Sequence, residues 1–90
     1  MWEVELTEKA IKQFFKLPRN IQENITKAIE EKLSVNPDLY LSKLSGYKGS
    51  FYRLRVNDYR LLCMKRDKEK EIVIIFIGHR KDVYRAKIDQ

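Results

Sequence analysis

Two runs of strand-forming residues, Phe51–Val56 and Tyr59–Lys65, are separated by only Asn57-Asp58. Asn and Asp tolerate positive φ and are favoured in two-residue hairpin loops, so this pair predicts a tight antiparallel β-hairpin. A loop that short fixes the register. Val56 then faces Tyr59, Leu54 faces Leu61 and Tyr52 faces Cys63, an apolar face that belongs on a core. The other face carries Phe51, Arg53 and Arg55 against Arg60, Leu62 and Met64. Arg55 falls directly opposite Arg60, and like charges so placed destabilise a sheet. Folding gains nothing from that pair, whereas an anionic ligand would explain it.

The remaining elements follow from periodicity. Trp2–Leu6 alternates apolar residues with Glu3 and Glu5, as a half-buried strand does. Thr7 is placed to cap a short amphipathic helix over residues 8–16, with Ala10, Ile11, Phe14 and Phe15 at helical spacing. Pro18 ends it and can open a second helix, about 19–34, striped by Ile21, Ile25, Ala28, Ile29 and Leu33. Asn36-Pro37 stops that helix, and residues 37–50 read as a loop. Asp67–Lys70 is a turn. In the next strand, Glu71–Ile77, every residue from Ile72 onward is apolar, as expected of a strand covered on both faces. Gly78 is expected to break it, and the tail from His79 to Gln90 has helical potential. The expected fold is α+β, in the order β-α-α-β-β-β. An N-terminal helical hairpin packs on one face of a small, twisted, mainly antiparallel sheet, and a basic concave surface is expected on the other.

At 90 residues the chain is expected to form a single domain, 1–90, with a small core. The formal charge is +6, unevenly spread. Residues 1–50 hold 8 Lys/Arg and 7 Asp/Glu, net +1, while residues 51–90 hold 11 and 6, net +5. A basic half suits nucleic acid, an anionic membrane or an acidic protein partner. The apolar run Ile72–Ile77 is far too short to span a bilayer, so no membrane role and a cytoplasmic location are expected. One cysteine and one histidine make neither a disulfide nor a metal-site pattern, and no cofactor is expected. Cys63 reads as a buried apolar residue.

Two clusters could carry chemistry. Arg53, Arg55 and Arg60 form one. Asp58, Asp67 and Glu69 sit in turns at the hairpin's ends and are poorly placed to neutralise it, although Glu71 could reach it from the next strand. An acidic partner chain docked without catalysis would also explain it. The second is the run Gly78-His79-Arg80-Lys81-Asp82-Val83-Tyr84-Arg85. If the tail turns helical, Arg80 and Tyr84 fall on one face. A guanidinium then offers a fork to phosphate oxygens and a phenol ring a stacking surface. Alternatively Tyr84 packs on the sheet edge and Arg80 pairs with Asp82. Histidine is the side chain suited to proton transfer near neutrality, so His79 could act as acid or base, or serve only as a hydrogen-bonding residue at a strand end.

These pieces resemble the RelE/ParE superfamily of toxin–antitoxin toxins, the RelE-like branch in particular. The similarity runs through Lys43-Leu44-Ser45-Gly46, Phe51-Tyr52-Arg53-Leu54-Arg55-Val56, Asp58-Tyr59-Arg60-Leu61-Leu62 and the Gly78-to-Arg85 run. The resemblance implies a ribosome-dependent messenger-RNA endonuclease that cuts A-site codons and is inhibited by a cognate antitoxin. It implies in-line attack by a ribose 2′-OH, giving a 2′,3′-cyclic phosphate and a free 5′-OH, with no metal. Arg60 matches an arginine that holds the phosphate. Arg80 matches one assigned to leaving-group protonation or transition-state charge, and Tyr84 a tyrosine that stacks on or activates the substrate. Arg53 and Arg55 match two strand lysines of the best-known members and are expected to clamp phosphate, with His79 and Lys81 as further RNA contacts. Arginine stays protonated, so the base role falls to Tyr84, with His79 in reserve. The expected partners are the ribosome with its mRNA and an acidic, partly disordered antitoxin, in a possible hetero-oligomer. A ParE-like inhibitor of DNA gyrase that cuts nothing is the competing expectation, since one fold hosts both activities.

Overall fold

The computed structural model describes residues 1–44, 51–79 and 81. Its elements are β1 (Glu3–Leu6), α1 (Glu8–Phe15), α2 (Arg19–Ala28), a π-helical turn (Ile29–Leu33), α3 (Pro37–Tyr40), β2 (Ser42–Lys43), β3 (Phe51–Val56), β4 (Tyr59–Arg66) and β5 (Glu71–His79). The strands form one sheet in the order β1-β5-β4-β3-β2. β1 runs parallel to β5 and the other pairs are antiparallel. This is the α+β architecture expected, with two additions. The stretch read as a loop holds α3, opened by Pro37 at its first turn, and the two-residue strand β2.

The hairpin register is the one the short turn dictates: Val56↔Tyr59, Leu54↔Leu61, Tyr52↔Cys63 and Arg55↔Arg60. Asn57 takes the left-handed conformation, φ 56°, which Asn tolerates better than most residues. Its side-chain oxygen accepts from Asn24 Nδ2 at 2.9 Å, so the turn is tied to α2.

Thr7 caps α1 by accepting from the Ala10 N–H at 3.2 Å. The core lies between the helices and one sheet face, built from Ala10, Ile25, Leu33, Leu61, Cys63, Ile72 and Ile74, all with no exposure. Burial pushes the Cys63 thiol up to about 12, from an ordinary value of 9.0. The thiolate is the reactive form. Native Cys63 should therefore react with a thiol reagent at pH 8 at least about a thousandfold more slowly than the urea-unfolded chain. Equal rates would show that the thiol is not sealed in this core.

β5 does not stop at Gly78, which stays in the ladder opposite Arg60. It contains a bulge instead: Leu62 pairs with Phe76 while Cys63 pairs with Ile74, so Ile75 is the extra residue. β1 ends at Leu6↔Ile74, and the edge of β5 beyond is satisfied by α1. The Thr7 N–H donates to the Ile74 carbonyl at 3.0 Å, Thr7 Oγ1 to the Ile75 carbonyl at 3.5 Å, and Gln13 Oε1 accepts from the Ile77 N–H at 2.8 Å. These contacts cover strand groups that would otherwise present an open edge.

α3 is held to the sheet by Lys65. Its ammonium meets Asp38, Asp67 at 3.3 Å and the Tyr52 ring at 5.0 Å from the centroid. The Asp38 hydrogen bond holds the Lys65 pKa above its ordinary value; partial burial opposes this and Asp67 adds to it. A raised lysine pKa contributes stability that is complete below the unfolded value of 10.5 and fades as pH climbs through the folded one. Lys65→Met should cost about 1 kcal/mol at pH 7. In urea melts that difference should shrink above pH 10.5. A gap constant across that range would remove the ion pair as its cause. Among the described residues no helix is long and apolar enough to cross a membrane.

Candidate functional site

The sheet face away from the helices carries the arginines, because β3 and β4 place every second residue there. Across it Arg55, Arg60 and Gly78 form one row, and Arg53, Leu62 and Phe76 the next. Arg53 is half-buried and Arg55 exposed. This face differs from the open basic surface expected of it. Leu62 is only 2% exposed and Arg60 only 7%.

Arg60 is the one buried charged side chain among the described residues. Its Nη1 donates to the Tyr59 carbonyl at 3.3 Å. Its Nε finds no hydrogen-bond partner, and no ion pair joins it among the described residues. Glu71, the acid on the neighbouring strand, is committed to Arg66 at 3.5 Å. Arg66 lies six residues along β4 from Arg60, about 20 Å away. Asp67 is taken up by Lys65. Gly78 is Arg60's partner on β5, so that strand sets no side chain opposite the guanidinium. Strand glycines recur where another group must approach closely. The arrangement can hold an anion by a forked guanidinium with a second cation, Arg55, alongside.

His79 is not on this face. It pairs with Tyr59, and the two rings meet edge to face at 5.5 Å, on the side that also bears Leu61 and Ile77. The Ile75 bulge is the cause, since one extra residue reverses the alternation of every side chain after it. Lys81 is exposed, and its backbone N–H donates to His79 Nδ1 at 3.3 Å. Arg80 and Tyr84, with the helical tail expected after Gly78, lie outside the described residues. The same bulge brings Phe76 onto the Arg60 face. Lys9 of α1 reaches round the sheet edge to put its Nζ 5.3 Å from the Phe76 ring centroid. Neither residue stands out in the sequence, because no linear pattern joins a helix lysine to a ring beyond a bulge.

A helical hairpin on one face of a small mixed sheet, with arginines on the other, defines an α+β domain with a candidate anion-binding face. Residues 4–84 match the family described as ParE toxin of type II toxin–antitoxin system, parDE. The chain is 31% identical over 86 residues to a RelE-like toxin protein of Escherichia coli, an alignment spanning 92% of this chain and 90% of that one. It therefore belongs to the RelE/ParE superfamily of type II toxin–antitoxin toxins. Solved structures agree. A chain of the toxin–antitoxin complex RelBE2 from Mycobacterium tuberculosis superposes with a TM-score of 0.81 at 26% identity, covering 88% of this chain and 98% of that one. One from the RelB–RelE complex of Methanococcus jannaschii gives 0.71 at 27%, covering 90% and 95%.

Proposed function

We propose that this toxin is a metal-independent endoribonuclease that cleaves mRNA in the ribosomal A site and is neutralised by a cognate antitoxin. The buried Arg60 guanidinium carries the reading. A charge held at 7% exposure with an uncommitted Nε is unfavourable until an anion completes it. Phosphate matches the planar fork of arginine. In the proposed reaction the ribose 2′-oxygen bonds to the adjacent phosphorus and the 5′-oxygen leaves, giving a 2′,3′-cyclic phosphate and a 5′-OH. Arg60 would hold the phosphate oxygens and stabilise the charge that develops on them. Arg53 and Arg55 would clamp neighbouring phosphates. Arg80 would serve the leaving oxygen or the transition-state charge, and Tyr84 the attacking hydroxyl or a stacked base. The position of His79, across the sheet from Arg60, argues against it as the base.

Two structural relatives were solved together with RelB antitoxins, and a chain of net charge +6 suits an acidic partner. The ParE description of the matching family favours a second reading, gyrase inhibition without cleavage. Purified toxin should be added to programmed ribosomes and the mRNA 5′ ends mapped, with a gyrase supercoiling assay in parallel. Cuts within A-site codons together with unimpaired gyrase are expected. Intact mRNA with blocked supercoiling would replace this reading by the second.

A further inference from the structure

We propose that Phe76 and Lys9 form a nucleotide subsite beside Arg60, in which a base stacks on the Phe76 ring while Lys9 moves to a backbone phosphate. The inference rests on the RNA-cleaving reading and adds to it a position outside the arginine cluster. Phe76 is half-buried on the Arg60 face. It pairs with Leu62 and lies two residues before Gly78, the partner of Arg60. Two strand residues span about 7 Å, of the order of one nucleotide. The core does not require this ring, because the helix side of β5 is filled by Ile72, Ile74 and Ile77.

Lys9 is likewise unexplained by folding. It occupies the first turn of α1, where the helix dipole favours acids over cations. Its Nζ nonetheless sits over the Phe76 ring. One turn further on, the Gln13–Ile77 hydrogen bond fixes α1 against β5, so the position is held by a built joint. An exposed cation–π contact is weaker than a base stacked on an aromatic ring. Exchanging the ammonium for a base, with the ammonium moving to a phosphate, therefore favours the RNA-bound state.

The test uses ribosomes programmed with a synthetic mRNA. The scissile nucleotide lacks its 2′-OH, and fluorescent 2-aminopurine occupies each A-site position in turn. The parent toxin should quench one position on binding. Phe76→Leu, which keeps an apolar side chain, should lose the quench and bind about tenfold more weakly, and Phe76→Tyr should restore both. Lys9→Gln should keep the quench and lower the slope of log affinity against log salt by about 0.7. If the parent binds this mRNA, and cleaves its all-ribose counterpart, but quenches no position, or if Phe76→Leu matches it in quench and affinity, the subsite is wrong and the nuclease reading survives. A parent that neither binds this mRNA nor cleaves the all-ribose one overturns both.

Discussion

Arg60→Gln is expected to lower the single-turnover rate of mRNA cleavage on the ribosome by about 10²–10³-fold while folding at least as stably as the parent. The two effects have one origin. Arg60 is a cation at 7% exposure, placed opposite Arg55, with Nε unsatisfied. Replacing a buried, incompletely paired charge by a shorter, neutral side chain relieves desolvation and repulsion together. A gain of about 1 kcal/mol in urea unfolding is expected. Trading stability against activity in this way is the signature of a residue retained for a ligand. Arg55→Gln should also relieve the repulsion, but Arg55 is exposed and its loss should slow cleavage by a smaller factor. A destabilised Arg60→Gln that still cuts at the parent rate would make Arg60 a structural residue and remove the main support for the nuclease.

Much of this could be read from the chain because local chemistry decided it. A two-residue break fixed the β3–β4 register, and with it the Arg55–Arg60 opposition. Thr7 followed by an apolar stripe fixed the start of α1. What could not be read depended on partners distant in sequence. Ile72 and Ile74 set an alternation that, carried forward unbroken, puts Phe76 with the core and His79 with the arginines. The bulge at Ile75, anchored by Thr7 of another element, reverses both assignments. Gly78 looked like a strand terminator because glycine weakens strands. It nevertheless stays in the ladder, paired with Arg60. β2, only two residues long, has no period to detect, and α3 is a single turn after a proline. The burial of Leu62 on the second face was equally hidden, since its row mates Arg53 and Phe76 come from different strands.

The sidedness of the sheet carries the second large expectation. Ile74 has no exposure, is the last β5 residue before the bulge, and accepts the Thr7 N–H through its carbonyl. Ile74→Ala removes three buried carbons from a core with little else to compensate, and should destabilise the fold by about 3 kcal/mol. For a domain of this size that is a fall in melting temperature of roughly 15 °C. Ile74→Val should cost about 1 kcal/mol. Met64 is 38% exposed on the opposite face, so Met64→Ala should stay within about 0.5 kcal/mol of the parent. Calorimetry of the three variants should order them as Ile74→Ala, Ile74→Val, Met64→Ala, as expected if the helix side of the sheet carries the larger share of the core. A Met64→Ala variant as unstable as Ile74→Ala would mean that both faces carry the fold. The arginine face could then not give up apolar contacts to make room for RNA.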